Sequence, residues 1–128
     1  MALRCVVVTP ERTELDREAE SVSLPMFDGE LGVLKGRAPL IGRLGYGTLR
    51  LQTAAGPERY YLDGGFAQVE GDVVSVLTAR AIPVDLLNSD EARIALEEAL
   101  LMPGATPEES QLKDTAVRRA RGQMRASR

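Results

Sequence analysis

Two carboxylates, Asp28 and Glu30, flank Gly29 in a glycine-rich stretch, and a pair of carboxylates is what most glycosidases use to hydrolyse a glycosidic bond. No aromatic platform for a sugar accompanies this pair, so it is weak evidence for such chemistry. The chain has no His and a single Cys, which excludes Ser-His-Asp and Cys-His nucleophilic sites and nearly all zinc sites. We therefore predict no catalytic residue, no metal ligand and no resident cofactor.

The other chemically distinctive group is the basic C-terminal end. The last eleven residues carry no acid and five arginines, namely Arg118, Arg119, Arg121, Arg125 and Arg128. One interpretation is that they complement the negative C-terminal end of a helix dipole. The other is that they recognise an acidic partner surface, because five arginines exceed what one helix end needs.

Composition narrows the partners and the location. The formal net charge is −3, whereas nucleic-acid binders usually show a strong basic excess, so no nucleic-acid partner is expected. No apolar run approaches the roughly 20 residues that span a bilayer, and the start of the chain does not resemble a signal peptide. One Cys cannot form an intrachain disulfide. We expect a protein of the reducing cytoplasm that contacts membranes only through a partner.

The type of secondary structure that the sequence predicts changes near residue 84. Residues 1–84 hold all five aromatic residues and 10 of the 12 glycines. Gly- and Asp-rich turns at 56–57, 63–65 and 71–72 separate short β-type runs. These runs cover residues 3–9, 19–24, 47–53, 59–62, 66–70 and 73–78. Many short strands joined by such turns predict a β-sandwich or barrel over residues 1–84.

Residues 85–128 are helical in pattern. Asn88 or Ser89 can cap a first helix over about 89–102, and Pro103-Gly104 ends it. The run Thr106-Pro107-Glu108-Glu109 then has the pattern of a capping box with Pro at the first helical position. We predict a second helix over about 107–126 and an antiparallel helical hairpin.

Three motifs, in order along the chain, resemble the epsilon subunit of F-type ATP synthases. The family pattern Gly-Glu-Leu-Gly, followed by Gly-His-Ala-Pro-Leu, is similar to residues 29–32 and 36–40. Its Tyr-Leu-Ser-Gly-Gly pattern is similar to residues 61–65, although Asp63 replaces Ser. The third motif is Asp90-Glu91-Ala92-Arg93.

The resemblance implies a fold and a function. The N-terminal domain, 1–84, would be a flattened β-sandwich that binds the gamma subunit and the membrane c-ring, and the hairpin, 85–128, would be mobile. The protein would be a noncatalytic central-stalk rotor subunit that couples the catalytic head to the c-ring during proton-driven ATP synthesis. The hairpin would restrain ATP hydrolysis. The complex would hold the chain at the cytoplasmic face of the bacterial plasma membrane.

The resemblance also assigns contact residues. The c-ring contact would comprise Asp28, Gly29, Glu30 and Leu31, with Glu30 facing the polar loops of the ring. The gamma contact would comprise Lys35, Arg37, Ala38, Pro39 and Leu40. Arg37 stands where the family usually has His and Lys35 where it often has Pro. Because Arg37 is a fixed cation where His would titrate near neutrality, we expect gamma binding that varies little between pH 6 and 8.

Two further contacts follow from the resemblance. Some members of the family bind ATP on the first helix, and Asp90 and Arg93 match part of that motif. The alternative for this pair is an ordinary surface pair three residues apart on a helix. The arginines Arg118, Arg119, Arg121 and Arg125 would reach an acidic segment of the catalytic β subunits in the α/β head.

A second function class stays open on the residues alone. A β-sandwich protein-binding module with a helical tail, unrelated to ATP synthase, would share the fold without sharing the loop motifs. Binding of the gamma subunit distinguishes the two classes.

Overall fold

The computed structural model describes residues 2–127, so Arg128 of the basic end lies outside the described residues. Two α-helices follow the strands: α1 (Ser89–Leu100) and α2 (Pro107–Ala126), preceded by a 3-10 turn at Val84–Leu86. The strands are β1 (Leu3–Val8), β2 (Thr13–Ala19), β3 (Ser21–Met26), β4 (Gly29–Val33), β5 (Leu40–Thr53), β6 (Gly56–Glu70), β7 (Val73–Leu77) and β8 (Ala81–Pro83). The predicted class, a mainly β part followed by a helical hairpin, is confirmed.

The strands form a sheet that folds over itself. Its order is β2-β1-β7-β6-β5-β3-β4, with β8 paired to β6, and β1 and β7 run parallel. One cluster of buried apolar side chains takes members from every strand from β1 to β7. Because the outermost strands β2 and β4 both contribute to this core, the sheet closes into two facing layers. Cys5 is fully buried there, and desolvation raises the pKa of its thiol to about 12.

Strand β6 differs from the sequence prediction, which placed a turn at residues 63–65. The strand runs without interruption from Gly56 to Glu70 and pairs with β5 along almost its whole length. Gly64 and Gly65 have φ values of +72° and +112°, which kink the strand instead of reversing it. The kink lets one long strand pair with β8 before it and with β7 after it.

A second correction concerns residues 19–24, which alternate in polarity and were predicted as one strand. The structure ends β2 at Ala19 and begins β3 at Ser21. Glu20 therefore lies between β2, at one end of the sheet order, and β3, the last strand but one at the other end. Alternation reports which face a side chain occupies, and it continues across such a corner, so the pattern alone does not reveal the break.

Both helices begin with the predicted caps. The Asn88 side chain accepts the backbone N–H groups of Asp90 and Glu91 at 2.9 and 3.1 Å. At α2, Thr106 and Glu109 form a reciprocal capping box. Helix α1 ends at Leu100, two residues before the expected end, because Leu101 already serves as its C-cap.

We expect Gly65→Ala to destabilise the sandwich by about 2–4 kcal/mol. Gly65 has positive φ, and an added Cβ would collide with the carbonyl oxygen of Leu77 on β7. Gly32→Ala is the matched control, since a Cβ at Gly32 meets no atom within 4 Å. Urea unfolding of the full chain measures both variants, and equal midpoints for the two would contradict this role of the kink.

Candidate functional site

The glycine-rich segment around Glu30 is a tight β-hairpin. Strands β3 and β4 are joined by a turn at Phe27 and Asp28, and Gly29 follows with φ +136°. Glu30 lies in β4, where its Oε1 accepts the Ser23 hydroxyl at 3.0 Å and lies 3.4 Å from a guanidinium nitrogen of Arg50. Its side chain is still 54% exposed, so the carboxylate is oriented by the sheet and remains accessible to a partner.

Leu31 and Gly29 belong to the same strand but differ in exposure. Leu31 packs partly against the sandwich core, whereas Asp28 and Gly29 are exposed at the turn. Of the predicted c-ring residues, the structure therefore presents Asp28, Gly29 and Glu30 outward and uses Leu31 to anchor the strand.

The predicted gamma contact, residues 35–40, is an exposed connection between β4 and β5. The backbone N–H of Gly36 donates to Oδ1 of Asp72 at 2.9 Å, and the N–H of Arg37 donates to the Leu34 carbonyl at 3.3 Å. Lys35, Arg37, Ala38 and Pro39 are exposed, and Leu40 begins β5. Asp72, which the sequence marked only as a turn residue, thus positions this connection from the β6–β7 turn.

Beside this connection the outer sheet face carries apolar side chains that face solvent. Phe66, Leu77 and Ile41 are 56, 59 and 74% exposed. Phe66 lies opposite Leu77 of β7 and Arg43 of β5, and Leu77 lies opposite Val8 of β1. We call Val8, Ile41, Phe66 and Leu77 the outer apolar patch. Exposed apolar clusters on a sheet face mark interaction surfaces. The alternation of side chains within residues 66–70 and 73–77 was the sequence signal that could have located this patch. Alternation separates the two faces of a strand but does not say which face is covered.

Helix α2 packs on the sandwich next to the β6 kink. Tyr61, Val84 and Ala126 form a second buried cluster at this junction. Gly122 of α2 approaches the backbone of β5 so closely that a Cβ there would collide with the carbonyl oxygen of Tyr46. A glycine is therefore required where the helix crosses the strand.

An ion pair fixes the same junction. Nε of Arg119 donates to Oδ1 of Asp63 at 2.8 Å, and the Asp63 side chain is 5% exposed. The Tyr61 hydroxyl donates to that oxygen at 3.2 Å and also lies 3.4 Å from the Arg119 carbonyl. Burial opposes the charge of Arg119, but the hydrogen bond and the charge of Asp63, together with Tyr46 and Tyr61, outweigh it and raise the pKa of Arg119. Burial, reinforced by Asp63, also raises the pKa of Tyr61.

The other predicted arginines face the β3–β4 turn. Arg118 donates to Asp114 at 2.8 Å, and its guanidinium lies 5.0 Å from the centre of the Phe27 ring. Arg121 and Arg125 line an open cleft of about 440 Å³ between α2, Tyr46 and this turn. The cluster predicted to reach the β subunits is thus directed partly toward the chain's own sandwich in this conformation.

Asp90 and Arg93, the predicted ATP contacts, lie in the first turns of α1. Arg93 donates to Glu97 at 2.9 Å, one helical turn on, and the Asp90 backbone N–H is bound by the Asn88 cap. Both side chains are exposed, and ATP binding stays a prediction.

Over residues 2–127, no group of three or more His, Cys, Asp or Glu side chains is arranged to hold a metal ion. Within the same range, neither helix combines the length and apolar character needed to cross a bilayer.

The two-layer domain, with its exposed turn and outer apolar patch, is of a known class. Residues 2–84 match the family described as ATP synthase, Delta/Epsilon chain, beta-sandwich domain. The chain belongs to this ATP synthase delta/epsilon chain family, and the resemblance found in its motifs is confirmed. It is 77% identical to the ATP synthase epsilon chain of Rhodopirellula baltica over the whole of both chains. It is 36% identical to that of a Nostoc species over 99% of this chain and 97% of the other.

Solved structures share the fold. A chain in the Euglena gracilis mitochondrial ATP synthase, described as OSCP/F1/c-ring in rotational state 1, superimposes with a TM-score of 0.87 at 22% identity. That match covers 99% of this chain and 82% of the other. A chain in the Tetrahymena thermophila mitochondrial ATP synthase, described as central stalk/c-ring, gives 0.75 at 12% identity, covering 98 and 96%. The hairpin packed on a β-sandwich therefore persists in chains of low sequence identity.

We expect Gly122→Ala to release α2 from the sandwich while leaving the helix intact. Alanine favours a helix by about 1 kcal/mol over glycine, but its methyl group would collide with the Tyr46 carbonyl. Trypsin should then cut after the arginines of α2 about tenfold faster, given the usual cost of overpacking.

Gly104→Ala is the control for this release. Its Cβ would lie 3.5 Å from Lys113, an ordinary contact in the connection between the helices. Cleavage of Gly122→Ala at the wild-type rate would contradict the docking contact, and circular dichroism melting shows whether the sandwich itself is unchanged.

Proposed function

We propose that the chain is a noncatalytic central-stalk subunit of an ATP synthase that couples the catalytic head to a membrane c-ring. Membership of the delta/epsilon chain family supports this role. It disfavours the alternative of an unrelated β-sandwich binding module. The observation that carries the proposal is the outer apolar patch beside the exposed connection at residues 35–40.

The gamma subunit is the proposed partner of that face. The patch offers flat apolar area from β1, β7, β6 and β5, while Arg37 and Lys35 add charge at its rim. Interfaces of this design have an apolar centre and a polar edge. Asp72 holds the connection in place through the Gly36 N–H, which lowers the entropy lost when a partner orders it.

The c-ring is the proposed partner of the β3–β4 turn. Asp28, Gly29 and Glu30 project there, and Ser23 with Arg50 hold the Glu30 carboxylate from one side. The contacts found for Glu30 among the described residues all use Oε1. Its second oxygen is the one we assign to a basic or amide group on the loops of the ring.

The hairpin is the proposed regulatory element, and the conformation described here is its docked form. Arg118 and Arg119 already have partners on α2 and on the sandwich, so reaching an acidic segment of the β subunits requires those contacts to be exchanged. Each exposed ion pair contributes about 0.2–1 kcal/mol. Moving a two-state element from 1:99 to 99:1 takes about 5.5 kcal/mol of differential binding. Four arginines contribute at most about 4 kcal/mol at this rate, which falls short, so contacts with gamma must assist the form that restrains hydrolysis.

The location follows from these partners. The chain would be a peripheral component at the cytoplasmic face of the bacterial plasma membrane, attached through the gamma subunit and the c-ring. In the assembly, catalysis would belong to the α/β head and ion transport to the ring.

We expect Phe66→Ser to weaken binding of the purified gamma subunit about 10- to 100-fold, as loss of an apolar anchor at the centre of an interface does. Ile94→Ser on α1 is the control, because Ile94 is similarly exposed (46%, against 56% for Phe66) but lies on the hairpin. Isothermal titration calorimetry measures both. Wild-type protein that does not bind gamma would refute the proposed function, and equal affinities of the two variants would refute the proposed face.

A further inference from the structure

Phe27 links the proposed ring contact to the hairpin. It directly precedes Asp28 in the β3–β4 turn, and its backbone N–H donates to the carbonyl of Arg43 on β5 at 2.9 Å. The Arg43 guanidinium carbon lies 4.1 Å from the centre of the Phe27 ring, and that of Arg118 lies 5.0 Å from it. One aromatic ring of the turn is therefore in contact with a cation from the sheet and a cation from α2.

Neighbouring residues of α2 orient Arg118 toward the Phe27 ring. Arg118 is held by Asp114, one helical turn earlier, at 2.8 Å. Arg121 and Arg125 line the same cleft, whose opposite wall is formed by residues 26, 27 and 29 of the turn region. Glu30, near the start of β4, and Arg125 of α2 line one shared cleft, so an acid beside the turn faces the basic side of α2.

We propose that Phe27 couples the ring-facing turn to the docking of the hairpin, such that engagement of the turn by the c-ring favours the docked form. This inference rests on the proposed c-ring contact. The physical reason is shared ordering: a partner that immobilises the turn also fixes the Phe27 ring against which Arg118 packs. The docked hairpin then loses less conformational entropy, and by linkage the docked hairpin favours ring binding to the same degree.

The isolated full chain tests the contact itself. Phe27→Leu keeps an apolar side chain but removes the cation–π contacts, and amide hydrogen exchange in α2 should become about two- to fivefold faster. Leu34→Ala removes an exposed apolar side chain of the β4–β5 connection and should leave exchange in α2 unchanged. Equal α2 exchange in the two variants would overturn the proposal.

A second variant separates this contact from a general loss of packing. Arg118→Gln should accelerate α2 exchange as Phe27→Leu does, and the double variant should add little, because both changes remove one shared contact. Fully additive effects would mean that the two residues act independently, which would overturn the coupling.

The effect of the c-ring is tested with a subcomplex of the gamma subunit and the c-ring. Binding of wild-type chain should slow α2 exchange beyond the effect of gamma alone, and Phe27→Leu should bind without this extra slowing. If the chain binds gamma but does not engage the ring, the proposed ring contact is wrong and the coupling fails with it. If the ring is engaged while α2 exchange is unchanged or faster, the ring contact stands and the coupling is refuted.

Discussion

The close packing of α2 against β5 at Gly122 is the constraint on which the arrangement of the hairpin depends. Because the helix can approach the Tyr46 carbonyl only where a side chain is missing, one position of α2 is permitted. That position brings Arg119 to Asp63, which the helix shields from water. In the docked form, a shielded Asp63 carboxylate without its cation would cost free energy. In the undocked form, water hydrates both charged groups, so breaking the pair costs little. The ion pair therefore specifies the docked geometry more than it stabilises it.

The same position places α2 against two surfaces that the sandwich already connects. Arg43 lies opposite Phe66 of the outer apolar patch and also packs on Phe27 of the β3–β4 turn. Arg118 reaches Phe27 from α2. The proposed gamma face, the proposed ring contact and the hairpin are therefore joined through two arginines and one aromatic ring. A change at one surface can therefore reach the others through these direct contacts.

Features that depend on residues close together in the sequence were predictable. The capping box at Thr106 and the Asn88 cap act within one helical turn, so the start of each helix could be inferred directly. The pair Gly64-Gly65 could not be interpreted in this way, because positive φ serves a turn and a kinked strand equally well. The Asp63–Arg119 pair spans 56 positions along the chain, and only the folded topology brings it together. Sequence motifs located the turn and connection around residues 28–40, but not Asp72, Phe66 or Leu77, whose roles depend on cross-strand register.

The most direct test of this account is a distance measurement in the free full chain. Spin labels on cysteines introduced at the exposed positions Gln52 and Gln111 report the separation of the sandwich and α2. Because Cys5 is fully buried, we expect it not to react in the folded protein. The account predicts one narrow distribution of distances by double electron–electron resonance, corresponding to the docked hairpin. A broad distribution, or a main population at longer distance, would contradict it.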